Sequence, residues 1–157
     1  CDIKFTIITI LWEEKMNPDK LTDTEVIQLI KQIKEFLNHP TFSIPTIGKY
    51  RCEESLSDKL NGITYSLHIY RGNLESKYSM HIRFISNNVH LVRLCIHGSI
   101  HHNFDGRIGG NHLHVYKLHN GTPIDYAYPL DQTPFDKSDD LAKSMDNFFK
   151  YVSIKIK

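Results

Sequence analysis

Five segments of alternating apolar and polar residues decide the fold of this chain. They read ITYSLHIY (63–70), YSMHIRFI (78–85), LVRLCIH (91–97), HLHVYKL (112–118) and IDYAYPL (124–130). A period of two with β-branched and aromatic side chains is typical of strands that bury one face. Turn residues such as Asn61-Gly62 and Asn120-Gly121 stand between or before the segments. The short connections predict an antiparallel meander of about five strands.

One helix is predicted before these strands in the sequence and one after them. The first spans about Asp23 to Asn38, because Thr22 and Glu25 form a capping box and apolar residues follow at helical spacing. The second begins after Ser138, and its apolar stripe contains Leu141, Met145, Phe148, Phe149 and Val152. Residues 40–60 are expected to form a loop with at most one short strand. The predicted fold class is α+β, with both helices covering one face of the sheet.

Composition limits the class of protein. The chain has 157 residues, 40% of them hydrophobic, which fits one domain with a packed core and excludes general disorder. Its 19 basic and 18 acidic side chains nearly cancel, so a globally basic nucleic-acid-binding protein is excluded. The three cysteines contain no Cys-x-x-Cys pair, and a cytoplasmic location is predicted.

Residues 1–15 are predicted to be an upstream extension outside the natural protein. Their apolar stretch is too short to span a bilayer and lacks the features of a signal peptide, so no membrane role is expected. Trp12 to Lys15 can be encoded by a sequence that resembles a bacterial ribosome-binding site directly before Met16. The natural start is therefore placed at Met16, with residues 16–157 as a single domain. The alternative is an ordinary edge strand over Ile3 to Ile10.

Strand alternation separates an aliphatic face from a face rich in histidine and arginine. The aliphatic face is expected to include Leu67, Ile82, Leu94 and Val115. The opposite face is expected to present His68, His81, Arg83, Leu91, Arg93, Cys95, His97, His112, His114 and Tyr116. Residues 61–119 carry a net charge of +4 and nine of the ten histidines. An anionic ligand, with nucleic acid or nucleotide phosphate as the commonest example, or a protein partner is the expected binding partner.

The long connection from Gly98 to Asn111 is a candidate functional loop. His102, Asn103 and Asp105 are predicted to bind a ligand or phosphate together with Arg83, Arg93 and His81. Gly109-Gly110 offers a backbone that a phosphate or a base could approach. The alternative is a plain hairpin with Asp105-Gly106 at its tip.

This stretch resembles a family of small bacterial and phage proteins of unknown function. The shared pattern is His-x-Asn-x-Asp-Gly, here His101 to Gly106, and then His-x-His-x-Tyr, here His112 to Tyr116. An aromatic-Pro-Leu strand end follows at Tyr128 to Leu130, and Phe104 stands where the family prefers proline. The resemblance implies a mobile-element gene near toxin–antitoxin or phage-defence functions, but no established activity.

Three functions stay open from the sequence. The first is a non-enzymatic binder without a cofactor, meaning an inhibitor, an antitoxin-like protein or a nucleic-acid-binding module. It would use the cationic face together with the aromatic residues Tyr65, Tyr70, Tyr116, Tyr126 and Tyr128. The second is a metal-independent ribonuclease in which His97 and His112 or His114 transfer protons, an arginine stabilises the phosphorane, and Tyr116 stacks or donates a hydrogen bond. The third is a zinc site in which His112 and His114 are ligands and His97, or alternatively His81, completes the set. Whether the protein is an enzyme, and its oligomeric state, are not predicted.

Overall fold

The computed structural model describes residues 15–156, which form two α-helices and ten β-strands. The helices are α1 (Asp23–Lys31) and α2 (Leu141–Tyr151), and a short 3-10 turn covers Leu130–Gln132. The strands are β1 (Lys34–Phe36), β2 (Tyr50–Asp58), β3 (Ile63–Arg71), β4 (Tyr78–Phe84), β5 (His90–Ile96), β6 (His101–Asn103), β7 (Gly106–Ile108), β8 (His112–His119), β9 (Thr122–Pro129) and β10 (Ile154–Lys155). Of the predicted extension over residues 1–15, all but Lys15 lies outside the described residues.

Eight of these strands form one sheet in the order β10-β1-β2-β3-β4-β5-β8-β9. Neighbours are antiparallel except β1 and β10, which pair in parallel. The α+β class and the antiparallel meander are confirmed, but the prediction of about five strands is too low. No helix within the described range is long and apolar enough to cross a bilayer.

The largest error concerns β2, which lies in the region expected to be mostly loop. This nine-residue strand pairs with β3 along its whole length, from Tyr50 opposite Arg71 to Asp58 opposite Ile63. Its sequence, YRCEESLSD, is charged and shows no apolar alternation over most of its length. Pairing with a well-specified neighbour therefore determines this strand, and periodicity could not reveal it.

The first helix is shorter than predicted, because it ends at Lys31 instead of Asn38. Gln32 is already extended, and the predicted helical residues Ile33 and Leu37 are 57% and 58% exposed. The capping box of Thr22 and Glu25 is present as expected. Residues 34–36 form β1 instead of the last helical turn.

Lys34 explains why the helix ends where it does. Its ammonium donates hydrogen bonds to the carbonyls of Leu29, Ile30 and Gln32 at 2.6, 3.3 and 2.8 Å, and to Val152 at 2.7 Å. These oxygens belong to the C-terminal ends of both α1 and α2, which lack intrahelical donors. Lys34 is completely buried, and burial lowers its pKa to about 8, against the opposing effect of the Asp58 carboxylate. One side chain thus fastens both helix ends to the sheet.

The core lies between the helices and the aliphatic face, as the alternation predicts. Leu67, Ile82 and Leu94 are fully buried, and Val115 is half-buried against the same cluster. The stripe of α2 is buried along its length, and the helix begins where Asp140 accepts a hydrogen bond from the backbone amide of Lys143. The opposite face of the sheet is thereby left for the histidines.

A β-bulge in β5 changes this face from the predicted one. Ile82 pairs with Val92, but Arg83 pairs with His90, so Leu91 is the extra residue. Leu91 therefore lies in the core, contrary to the prediction that placed it among the histidines. The same bulge brings His90 onto the histidine-bearing face, where strict alternation did not place it.

Replacing Lys34 with Met should lower the free energy of unfolding by about 2–4 kcal/mol, because four helix-end carbonyls lose a charged donor. Urea unfolding followed by circular dichroism measures the change. The matched control is Lys31→Met, which alters an exposed lysine at the same helix end and should cost less than about 0.5 kcal/mol. Equal effects of the two substitutions would show that Lys34 does not hold the helix ends.

Candidate functional site

A cavity of about 480 Å³ lies on the histidine-bearing face of the sheet. Its lining comes from strands β3, β4, β5 and β8, from the first residue of β6 and from the connections that follow β3 and β5. Side chains that line it include Tyr70, Leu74, Lys77, Ser79, Arg93, Cys95, Ile100, His101, His112 and His114. The volume is in the range of small-molecule sites.

The floor of this cavity holds a group that we call the thiol–imidazole cluster: Cys95, His112 and His114. Cys95 and His112 are direct partners in the β5–β8 ladder, and His114 lies two residues further along β8 on the same face. One donor atom from each of the three lies within 4.8 Å of the others. All three are buried, with exposures of 8%, 2% and 4%. Strand register alone brings the three groups together.

Backbone carbonyls set the orientation of two imidazoles, that of His112 within this cluster and that of His101 beside it. His112 Nδ1 lies 2.5 Å from the Gly109 carbonyl, and because a carbonyl only accepts, this nitrogen carries the proton. His112 Nε2 is consequently left with its lone pair. His101 Nε2 bonds the Asp125 carbonyl at 3.2 Å in the same way. The His101 ring centroid lies 4.5 Å from that of His114.

His114 differs from its neighbours, since its buried Nδ1 has no hydrogen-bond partner within the described residues. Leaving a buried polar atom unsatisfied costs roughly 1–3 kcal/mol, so such atoms in a native protein call for an explanation. Burial, with a smaller contribution from His112, lowers the pKa of His114 well below its usual range. Burial also lowers the pKa of His112. Both rings are therefore neutral at pH 7, and they do not add to the positive charge of this face.

The positive charge of the cavity comes from Arg93 and Lys77. The cavity lining contains no aspartate or glutamate, and Arg93 makes no ion pair within the part of the chain that is described. Arg93 Nε is buried and has no hydrogen-bond partner among residues 15–156. The nearby Asp125 carboxylate is bound by His90 Nδ1 at 2.9 Å. Arg93 thus retains unused hydrogen-bonding capacity at the cavity wall.

A second group, which we call the histidine stack, consists of His68, His81 and His90. Their ring centroids are 4.8 Å apart for His68 and His81 and 4.3 Å apart for His81 and His90. Arg83 donates to His68 Nε2 at 3.2 Å and to the Asn88 side chain. Burial, followed by His90 and His68, lowers the pKa of His81 to about 3. Arg83 and His81, predicted to bind a ligand, are thus engaged with other side chains of this group.

His97 does not join the cluster as predicted. The strand β5 ends at Ile96, and His97 follows it with a φ of 52°, so the alternation stops one residue too early to direct its side chain. His97 is exposed, and it is not among the residues that line the cavity. The pair of His97 with His112 or His114, on which the ribonuclease and zinc hypotheses depended, therefore has no support in this arrangement.

Tyr116 also departs from its predicted position. Its side chain is 2% exposed and lies in the core, with its ring 6.2 Å from that of Phe84. The phenol donates to the Pro18 carbonyl at 2.9 Å and accepts from the Leu21 amide at 3.1 Å. Tyr116 therefore fastens the segment before α1 and is not placed to stack on a ligand in the cavity.

The predicted loop residues fasten a hairpin made of β6 and β7, as in the alternative reading of this segment. Asn103 bonds both the amide and the carbonyl of Ala127 at 2.9 Å, and Asp105 accepts from the Tyr126 phenol. His102 is exposed on β6. At the base of the hairpin, the Gly98 amide donates a hydrogen bond to the Gly110 carbonyl. A Cβ atom on Gly110 would lie 2.2 Å from the Gly98 carbonyl oxygen. The close contact with the Gly98 backbone therefore explains why a glycine stands at position 110.

Several residues at or near the site were not predicted as site residues, among them Lys77, His90, Cys95 and His101. Alternation placed Cys95 on the histidine-bearing face, but it gave no reason to choose this residue as a ligand. The β-bulge that places His90 on the histidine-bearing face cannot be recognised from the alternation of apolar and polar residues. His101 begins the three-residue strand β6, which is too short for a period to be recognised in the sequence.

Acidification should destabilise the protein partly through His81, whose pKa in the folded chain is about 3. An unfolded histidine has a pKa of about 6.5, so between these values the unfolded state binds more protons and stability falls as the pH falls. From pH 7 to pH 5 this amounts to at most about 2 kcal/mol. His81→Gln should remove that part of the loss in urea unfolding at the two pH values.

The control for this measurement is His39→Gln, which changes an exposed histidine. It should retain the full pH dependence of the unmodified chain. If His81→Gln and His39→Gln lose the same stability on acidification, the stack does not keep His81 neutral.

Comparison with known proteins gives a family and no function. A search of curated proteins and a search of solved structures find no significant match. The model of a family of unknown function, DUF6978, matches residues 21–154, which include both helices, the cavity and the thiol–imidazole cluster. The chain therefore belongs to the family of unknown function DUF6978.

Proposed function

We propose that the cavity binds a nucleotide unit, either free or at the end of a single-stranded nucleic acid. The observation that carries this proposal is Arg93, a cation with a buried, unpartnered Nε at the wall of a cavity without carboxylates. An arginine in this setting binds phosphate or carboxylate through charge-assisted hydrogen bonds. The proposal is one of binding, and no reaction is part of it.

The rest of the wall fits a ligand with an aromatic body. Tyr70, Leu74 and Ile100 are 54%, 67% and 59% exposed and border the same cavity. A base could stack on the Tyr70 ring while its phosphate reaches Arg93 or Lys77. Ser79 adds a neutral hydroxyl between these two regions. Apolar rim and cationic wall together match the two chemical parts of a nucleotide.

A nucleotide suits this site better than a protein partner does. The binding groups line a recess whose volume is in the range of small-molecule sites, whereas protein partners more commonly use larger and flatter surfaces. The histidines add hydrogen-bonding groups to this recess without adding charge. Selectivity for an anion therefore depends on two side chains, Arg93 and Lys77.

Replacing Arg93 with Gln should weaken binding of a nucleoside monophosphate by at least about tenfold, since a hydrogen bond to a charged group contributes roughly 1.5–3 kcal/mol. Isothermal titration calorimetry with nucleoside monophosphates and with a short single-stranded oligonucleotide measures the change and shows which form binds. The matched control is Arg107→Gln, an exposed arginine on β7 outside the cavity. A loss of affinity with Arg107→Gln but not with Arg93→Gln would place the ligand elsewhere.

Replacing Tyr70 with Ala should remove about 1–3 kcal/mol of binding free energy if a base stacks on the ring. Tyr70→Phe keeps the aromatic face and should bind as the unmodified chain does. The same titrations measure both variants. If inorganic phosphate binds as tightly as the nucleotide and Tyr70→Ala has no effect, the ligand is a simple anion and the nucleotide proposal is wrong.

A further inference from the structure

We infer that the thiol–imidazole cluster is a binding site for one zinc ion, with Cys95, His112 and His114 as its three protein ligands. The inference goes beyond the nucleotide proposal and does not depend on it. It also differs from the ligand set expected from the sequence, because Cys95 takes the place of His97. Four features of the cluster favour a metal ion: its donor atoms converge, His112 is held in a ligand orientation, His114 has an unsatisfied nitrogen, and a fourth coordination position is accessible from the cavity.

Convergence is the first step. Ligand atoms around one tetrahedral zinc ion stand roughly 3.3–3.8 Å apart, given zinc–sulfur and zinc–nitrogen bonds of about 2.3 and 2.0–2.1 Å. The donor atoms of Cys95, His112 and His114 are all within 4.8 Å of one another. Small side-chain rotations are enough to bring them to bonding distance. Because the backbone positions are fixed by paired strands, the site is held on rigid elements.

Orientation is the second step. Metal-bound histidines almost always donate their other N–H to a carboxylate or carbonyl, which fixes the tautomer and directs the lone pair at the ion. His112 does this already, because its Nδ1 donates to the Gly109 carbonyl. Gly109 is adjacent to Gly110, whose carbonyl bonds Gly98 at the base of the hairpin. The hairpin base therefore holds the ring in a ligand orientation.

The unsatisfied nitrogen of His114 is the third step, and it is independent of the other two. His114 is 96% buried, lines the cavity, and has an Nδ1 without any partner among the described residues. A ligand that accepts electron density from this imidazole would remove an unfavourable feature of the empty site. A zinc ion coordinated by Nδ1 would do so directly. If Nε2 is the zinc ligand instead, a water molecule bound to the ion could accept a hydrogen bond from Nδ1.

The type of ligands identifies the metal class. One thiolate and two imidazoles suit zinc, whereas magnesium and calcium prefer oxygen ligands that this cluster lacks. The fourth position faces the cavity of about 480 Å³, which is the arrangement of zinc sites that bind an exogenous ligand. Arg93, cross-strand partner of His114, lies beside the cluster. An anion in the cavity would therefore contact both the ion and Arg93.

The test uses the whole chain, purified without a histidine tag and freed of metal, titrated with Co²⁺ as a spectroscopic substitute for zinc. The expected result is one equivalent bound, with tetrahedral d–d bands and a sulfur-to-cobalt charge-transfer band that zinc then removes. Cys95→Ser should lose the charge-transfer band. His112→Ala or His114→Ala should weaken Co²⁺ binding by more than about a hundredfold, beyond the loss that outer partners cause.

The matched control is His102→Ala, an exposed histidine that should leave the titration unchanged. His97→Ala tests the competing ligand set and should also have no effect. If the unmodified chain shows no charge-transfer band, or if the affinity survives both imidazole substitutions, the inference is wrong, whether or not Cys95→Ser folds. Arg93→Gln should retain the cobalt spectrum, so a failure of nucleotide binding is distinguishable from a failure of metal binding.

Discussion

The register of β5 against β8 is the constraint on which the site depends. It sets Cys95 opposite His112 and Arg93 opposite His114, so that a thiol, a guanidinium and two imidazoles share one patch of the sheet. A slip of one residue in either strand would turn that strand's side chains to the opposite face. The register is protected by the buried partners on the other face, where Leu94 pairs with Leu113 and Val92 with Val115. The packing of these apolar side chains in the core therefore fixes the positions of the site residues on the opposite face of the sheet.

The parts around this patch explain its electrostatics. The helices occupy the aliphatic face, and Lys34 fastens their C-terminal ends from within the core. On the other face, burial keeps His81 and His114 neutral, and the histidine stack engages Asp125 through His90. Arg93 is left as a half-buried cation of the cavity wall without an ion pair among the described residues. A surface that looks strongly cationic in sequence is in fact a mostly neutral, hydrogen-bonding surface with a localised positive charge.

Sequence reasoning succeeded where one rule acts alone. Period two located the five central strands and their faces, and capping and apolar spacing located both helices. It failed where tertiary contacts compete with local pattern. The charged strand β2 forms because it pairs with β3. Helix α1 ends at Lys31, where Lys34 binds the carbonyls of the last helical turn. The bulge at Leu91 moves Leu91 into the core and His90 onto the histidine-bearing face. At the site, the period correctly grouped Cys95, His112 and His114, but it carried His97 along because the end of a strand is not visible in alternation.

The X-ray absorption spectrum of the zinc-loaded protein tests the central claim most directly, because it counts the ligand atoms around the ion. The register described above predicts one sulfur neighbour at about 2.3 Å and two imidazole nitrogens at about 2.0–2.1 Å, with a light atom completing the shell. The sulfur contribution should vanish in Cys95→Ser. A first shell of only nitrogen and oxygen in the unmodified protein would contradict the account, since Cys95, His112 and His114 would then not meet at one ion.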